Sequence, residues 1–301
     1  RVKIFRMKKI KRILLTGVTG QLGSELYGLL SKFCEVVAPT RRQFDLSKPD
    51  LLRDKIRRCN PDMIINPAAY TNVEGAESEP DLAFAINSLS PMIMAEEAAK
   101  LNIPLVHYST DYVFDGKKKS PYLETDKTNP VNVYGASKLS GEKNIESVLG
   151  ESLIIRTSWV YSSRGDNFLN NIVKLLKYQD KISVVNDQTG APISARELAK
   201  ISLLLLNPSI NNNSKIPYGT YNITAGGSTT WFGFARQIQH VLDNIILSNA
   251  LILPILSKDY KFKAERPIMS LLDNSKIMSK LNITQLDWKN IMKNELQNYN
   301  V

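Results

Sequence analysis

A chain of 301 residues, 43% hydrophobic and 23% charged, can bury one large or two small cores and is too apolar for wholesale disorder. Its formal charge of +10 raises the question of nucleic acid, but the basic residues are scattered apart from the N-terminus and Lys117-Lys118-Lys119, and no helix-turn-helix, zinc or RNA-binding signature accompanies them. The surplus suits a site for diphosphate-bearing ligands instead, and no nucleic-acid partner is expected.

Residues 1–12 are basic, and the apolar run behind them stops at Thr16-Gly17, too early for a signal peptide; Met7 reads as a natural start. No stretch reaches the roughly 20 apolar residues of a membrane span. The nearest, 245–256, is broken by Ser248, Asn249 and Pro254, so no membrane partner and a cytoplasmic location are expected. From there the first half alternates short β-branched runs with helical patterns. Strands are predicted at 12–16, 35–38, 63–66, 105–109 and 153–156, and helices at 21–32, 48–59, 80–101 and 134–148. That alternation, with strands apolar on both faces, predicts an α/β fold with a doubly wound parallel sheet of the Rossmann type. After Trp159 the regularity loosens: a helix at 167–178, a strand near 182–185, a helix at 194–206, a polar Asn-rich loop at 206–217, a strand at 219–224 and a helix at 229–247. These later segments predict a smaller, discontinuous C-terminal α/β lobe. Its expected extent is about 161–189 and 241–301, set against a cofactor domain of 1–160 plus about 190–240. Cys34 and Cys59 make neither a disulfide framework nor a metal spacing.

Thr16-Gly17-Val18-Thr19-Gly20-Gln21-Leu22-Gly23 joins the first strand to a helix start through glycines spaced G-x-x-G-x-x-G. Glycines allow a tight turn, and the free N–H groups of a helix start attract a pyrophosphate. After the second strand come Arg41 and Arg42, with no carboxylate until Asp45. An acid there would take a ribose 2′-hydroxyl, whereas an arginine suits a 2′-phosphate, so NADPH is favoured with Arg41 or Arg42 near the phosphate, and NADH stays possible.

Tyr134 and Lys138 form Y-x-x-x-K at the start of a helix, where residues four apart share a face. Phenol has a pKa near 10, and lowering it by about three units takes roughly 4 kcal/mol; a neighbouring cation is one source. Ser109 and Thr110 fall at the carboxyl end of a buried strand, where open α/β sheets keep their ligands. Asp111 reads equally as a sugar-hydroxyl acceptor or a turn-forming residue, and His107 as a packed strand residue before a base.

Together these pieces resemble the extended short-chain dehydrogenase/reductases, and among them the dTDP-4-dehydrorhamnose reductases. Further matching segments are 66–71, 76–80, 109–116, 132–142, 156–161, 187–192 and Arg266-Pro267 with Ser270, Leu272-Asp273 and Lys276. The resemblance implies NADPH-dependent reduction of the C4 ketone of dTDP-4-dehydro-β-L-rhamnose. It makes Tyr134 the proton donor, with Lys138 and Thr110 tuning it. It implies cofactor contacts from Gly17, Gly20, Gln21, Leu22, Gly23, Arg41, Asp45, Leu46, Ala69, Tyr70, Thr71, Ser109, Tyr134 and Lys138. The dTDP-sugar is implied to meet Thr110, Asp111, Trp159 and Arg266.

Two alternatives share parts of the pattern: an NAD-dependent nucleotide-sugar epimerase, and a non-catalytic subunit similar to the β subunit of methionine adenosyltransferase, which has the 111–116 stretch. Retention of Thr110, Tyr134, Lys138, Trp159 and Asp187-Gln188 argues for a working reductase. One departure is evident. Some relatives dimerise through a magnesium ion held by glutamates, one matched by Glu25; at the other position stands Arg196, with Glu197 turned about 100° away on a helix. A monomer or weak homodimer without bound metal is therefore expected.

Overall fold

The computed structural model describes residues 10–212, 216–243 and 249–297. The stretch ahead of Ile10, including Met7 and the leading arginines, and the end of the expected 229–247 helix lie outside the described residues. The first half runs β1 (Arg12–Leu15), α1 (Gln21–Leu30), β2 (Glu35–Val37), α2 (Leu52–Cys59), β3 (Met63–Asn66), α3 (Val73–Ala76), α4 (Pro80–Phe84), α5 (Ser90–Leu101), β4 (Leu105–Thr110), α6 (Val133–Val148) and β5 (Ser152–Thr157). Next come β6 (Val160–Tyr161), α7 (Phe168–Tyr178), β7 (Lys181–Val185), β8 (Thr189–Gly190), β9 (Ile193–Ser194), α8 (Ala195–Asn212) and β10 (Gly219–Asn222). The chain continues with β11 (Thr229–Thr230), α9 (Trp231–Leu242), β12 (Leu251–Ile255), α10 (Ser275–Leu281) and α11 (Trp288–Leu296).

One parallel sheet organises this, in the order β10-β5-β4-β3-β1-β2. Successive side chains alternate sides, and the inner strands β1, β3, β4 and β5 are buried on both faces. Ile13, Leu15, Met63, Ile65, Val106 and Ile155 enter one core, shared with Leu26 of α1 and Leu198 of α8. Leu14, Ile64, Leu105 and Ile154 enter a second, shared with Leu52 and Ile56 of α2 and Ile93 of α5. Helices thus cover both faces, which is the doubly wound α/β architecture. Among the described residues no helix is long and apolar enough to cross a membrane.

Three expectations change. The 80–101 helix is interrupted by a π turn over Ala85–Leu89, so Asn87 sits in a widened turn between α4 and α5. The predicted 206–217 loop starts too early, because α8 runs on to Asn212; packing of its earlier turns on α1 outweighs the local turn signal. Residues 251–255, read as a broken apolar stretch, form a strand paired in parallel with β7. Pro254 is tolerated there because this two-stranded sheet has free edges.

Candidate active site

The carboxyl ends of β1, β3, β4 and β5 open into a cleft of about 1130 Å³. Single small-molecule pockets run to roughly 1,000 Å³, so there is room for more than one ligand. It is lined by Gly17, Gly20, Gln21, Leu22, Gly23, Arg41, Asp45, Leu46, Ala69, Tyr70, Thr71, Ser109, Thr110, Asp111, Tyr134, Lys138 and Trp159. The site residues singled out in the sequence are brought together here except Arg42, which is outside the lining, and Arg266. The Arg266 guanidinium reaches Glu74 at 3.0 Å and lies over the Phe262 ring at 4.2 Å, beside the cleft and not in its lining.

The floor is the β1–α1 turn. Gly17 takes φ +61°, and a Cβ on Gly23 would fall 2.0 Å from the Gly17 carbonyl oxygen, so the turn closes only with glycine at both places. No side chain caps α1 at Gly20. Its first N–H groups are left for an anion, as a dinucleotide pyrophosphate requires. At the far end Arg41 lines the cleft, while the Asp45 carboxylate accepts from Ser47 N at 3.0 Å and Ser47 Oγ at 2.7 Å, which holds it below the usual carboxylate range. Of the two arginines it is Arg41 that lines the cleft.

Asn87 was missed in the sequence. Its amide accepts from Tyr70 N at 2.8 Å and donates to Tyr70 O at 3.0 Å and Ser137 Oγ at 3.0 Å, bracing the 69–71 wall against α6. The signal was a polar pair, Asn87-Ser88, inside an otherwise apolar helical run. π turns of this kind gather at functional sites.

Asn132 caps α6 by accepting from Gly135 N at 2.7 Å, which sets Tyr134 in the first turn beside the end of β4. There Thr110 Oγ accepts from Tyr112 N at 3.2 Å and donates to Asp111 Oδ1 at 3.0 Å. Thr110 therefore caps the turn over Asp111–Val113, and the Asp111 carboxylate stays in the cleft. Burial pushes that carboxyl up to about 7, opposed by the hydroxyls of Ser270 and Thr110. Burial also pushes the Tyr134 phenol up to about 12, opposed by the Thr110 hydroxyl. This differs from the expected lowering. Lys138 Nζ donates to Tyr108 O at 2.5 Å and meets His107 Nε2 at 3.3 Å, and burial pulls the ammonium down to about 8 against the pull of Glu142. Glu142 is itself held by a buried Arg156 at 2.7 Å.

The wall opposite is Trp159, a non-glycine residue at φ +45°. Its ring stacks on Trp231 with centroids 3.5 Å apart. Trp231 Nε1 donates to Gln188 Oε1 at 3.1 Å, and Gln188 donates on to Ser257. The Ser109 hydroxyl is buried in the cleft lining with no hydrogen-bond partner in the protein, as a group awaiting a ligand is.

On the outer side of α1, Arg196 Nε lies 3.8 Å from Glu25 and 3.9 Å from Glu295. Glu295, from α11, was not singled out in the sequence; its distance along the chain hid it. An arginine between the two carboxylates already supplies the positive charge and leaves no oxygen-lined shell, so these residues do not fit a divalent ion. Among the described residues no group of three His, Cys, Asp or Glu is arranged to hold a metal.

The RmlD substrate binding domain family matches residues 11–301. A dTDP-4-dehydrorhamnose reductase of Burkholderia thailandensis is 38% identical over 284 residues, covering 92% of this chain and 95% of that one. Among solved structures, a dTDP-4-dehydrorhamnose reductase from Clostridium acetobutylicum superposes with a TM-score of 0.88 at 32% identity, covering 95% of this chain and 98% of that one. One from Bacillus anthracis, solved in complex with NADP, gives 0.87 at 31%, covering 96% and 99%. With the sheet order, the glycine turn and the Tyr134–Lys138 helix in place, the chain belongs to the dTDP-4-dehydrorhamnose reductase family of oxidoreductases.

Proposed function

We propose that this protein reduces the C4 ketone of dTDP-4-dehydro-β-L-rhamnose to dTDP-L-rhamnose with NADPH. The observation that carries the reading is the convergence of a phosphate-binding turn, Arg41, and the buried Thr110–Tyr134 pair in one cleft large enough for cofactor and nucleotide sugar. Gly20, Gln21 and Leu22 hold the pyrophosphate, Arg41 the 2′-phosphate, and Ala69, Tyr70 and Thr71 flank the cofactor. When bound, NADPH supplies the hydride. Tyr134 donates the proton to the oxygen at C4; a phenol kept protonated at neutral pH is an acid, and the reduction consumes one proton. Thr110 bonds that phenol and orients it, while Lys138 offers positive charge as phenolate forms. Asp111 accepts from a sugar hydroxyl, and the Trp159 face, backed by Trp231, packs on the ring.

Residues 1–160 with about 190–240 form the cofactor domain in this reading, and about 161–189 and 241–301 the substrate lobe, to which Arg266 belongs. Arg196 stands in for a bridging metal, giving a monomer or weak homodimer that needs no magnesium. The test follows NADPH absorbance while dTDP-4-dehydrorhamnose is generated enzymatically. Tyr134→Phe is expected to lose about 10²–10⁴-fold in kcat with NADPH affinity within about twofold of wild type. A variant as fast as the wild type removes Tyr134 from the chemistry.

A further inference from the structure

At the carboxyl ends of β1 and β3, and at the matching level of β4, the sheet face that carries Leu14, Ile64 and Leu105 turns polar. Two residues on from each, with the same parity, stand Thr16, Asn66 and His107, and Asn66 and His107 are paired in register between β3 and β4. All three are buried, as is Lys138 above them on α6. They are joined in line: Thr16 Oγ to Asn66 Oδ1 at 2.6 Å, Asn66 Nδ2 to His107 Nδ1 at 3.1 Å, and His107 Nε2 to Lys138 Nζ at 3.3 Å. At its outer end Thr16 Oγ accepts from Ala68 N at 3.4 Å, within the cleft lining.

We infer that His107 is a positioning residue for Lys138, and that Thr16, Asn66 and His107 form a buried hydrogen-bond relay whose direction follows the charge on Nζ. The inference rests on Lys138 serving the reduction proposed above. Donor and acceptor accounting requires the relay to reverse. Burial and the Lys138 charge keep His107 neutral, so one ring nitrogen carries hydrogen and the other accepts. An ammonium at Lys138 has only donors, so it needs Nε2 as acceptor and places the proton on Nδ1. Asn66 then turns its carbonyl to Nδ1 and its amide to Thr16, whose hydroxyl accepts. A neutral amine accepts from Nε2–H, so Nδ1 becomes the acceptor, Asn66 presents its amide to it, and Thr16 donates to Oδ1. The placement of Asn66, with Oδ1 on the Thr16 hydroxyl and Nδ2 on His107 Nδ1, matches the second arrangement. In both, Nζ, the two ring nitrogens and the Asn66 amide find partners; from the first to the second the Nδ1–H bond breaks, an Nε2–H bond forms and Nζ ends as the amine, so the assembly loses one proton in net to solvent or ligand. The relay thus lets a buried lysine change charge without leaving an orphaned group, a penalty of the kind that burial otherwise exacts.

The titratable groups facing this assembly are few. Along α6 they are Lys138, Tyr134 at its start and Glu142, the last neutralised by Arg156. On the strand of His107 it is Asp111, past the strand end, while the Tyr108 ring lies on the opposite face of the sheet. β3 and β1 offer only Asn66 and Thr16.

The chain has two histidines, His107 and the exposed His240, so the ring nitrogens of His107 are assignable in histidine labelled with nitrogen-15. Long-range proton–nitrogen spectra of the whole protein between pH 6 and 10 are read with the carbon-13 shift of the Lys138 Cε. The His107 ring should stay neutral throughout and exchange its tautomer, Nδ1–H for Nε2–H, at the Lys138 midpoint. In Asn66→Asp a carboxylate accepts only, fixing Nδ1–H, and the Lys138 midpoint should rise by at least one pH unit. A single His107 tautomer across the Lys138 titration overturns the relay, as does an unmoved midpoint in a folded Asn66→Asp protein. The wild-type spectra decide the matter if that variant does not fold. Neither measurement uses substrate, so a protein that shows the exchange yet fails to oxidise NADPH with the 4-keto sugar refutes the proposed reaction and leaves the relay standing.

Discussion

Asp111→Asn should separate what the cleft does for catalysis from what it costs the fold. The native carboxyl is pushed from 3.8 up to about 7 by burial, with Ser270 and Thr110 pulling the other way. A group whose folded pKa is raised contributes stability that is whole below its unfolded pKa and is lost as pH rises through the folded one. Between about pH 4 and 7 the unfolded chain releases the Asp111 proton while the folded chain still holds it. Three units at 1.36 kcal/mol each set a ceiling of roughly 4 kcal/mol. Relaxation and the two hydroxyls reduce this to about 1–3 kcal/mol. Asparagine has the same shape and does not titrate. The variant should match wild type within about 0.5 kcal/mol at pH 4 and exceed it by about 1–3 kcal/mol at pH 8, read from urea unfolding midpoints at unchanged slope. Its kcat/KM should fall by roughly 10–100-fold, the worth of one hydrogen bond to a charged group. Equal stability differences at both pH values, or a variant weaker than wild type at pH 8, would refute the reasoning.

The depressed Lys138 gives a second expectation. Because kcat/KM reports the free enzyme, its profile should fall on the alkaline side near pH 8, where the ammonium is lost, and a profile flat to pH 10 contradicts the role given to the charge. Gly190→Ala should weaken binding of the dTDP-sugar, followed by tryptophan fluorescence, and spare NADPH binding, because a Cβ there would lie 2.6 Å from the Trp159 ring and push it off Trp231. In wild type, EDTA should change neither the melting temperature nor the mass in solution. Arg196→Glu, which gathers three carboxylates, should lower the melting temperature in EDTA and recover it in millimolar magnesium; a wild type that loses mass in EDTA overturns this.

The parallel core was legible because its inner strands are buried on both faces and so read as apolar runs, as Met63-Ile64-Ile65 does. The cleft was legible for a related reason: side chains at strand ends are placed by the backbone, and Ser109, Thr110 and Tyr134 needed only the strand–turn–helix order to be set together. What stayed hidden depends on partners far away in sequence. Asn87 reads as a polar interruption until its π turn brings it to Tyr70 and Ser137. His107 reads as a packed strand residue because nothing local shows Asn66 on one side and Lys138 on the other. The 251–255 strand was hidden by Pro254, which only a sheet with free edges accepts.

The expected effect of Lys138 on Tyr134 also needs restating. A cation four residues along a helix shares a face with the phenol, yet sharing a face does not decide where the charge rests. Here Nζ is drawn down to the Tyr108 carbonyl and His107, and burial holds the phenol protonated against the opposing pull of the Thr110 hydroxyl. For a reductase that arrangement is the useful one. The proton must be present on Tyr134 when the ketone arrives, and the neighbouring charge matters only once the proton has gone. A phenol already lowered toward neutrality would be partly empty at the start of each turnover, so burial serves the forward reaction and Lys138 serves what the reaction leaves behind.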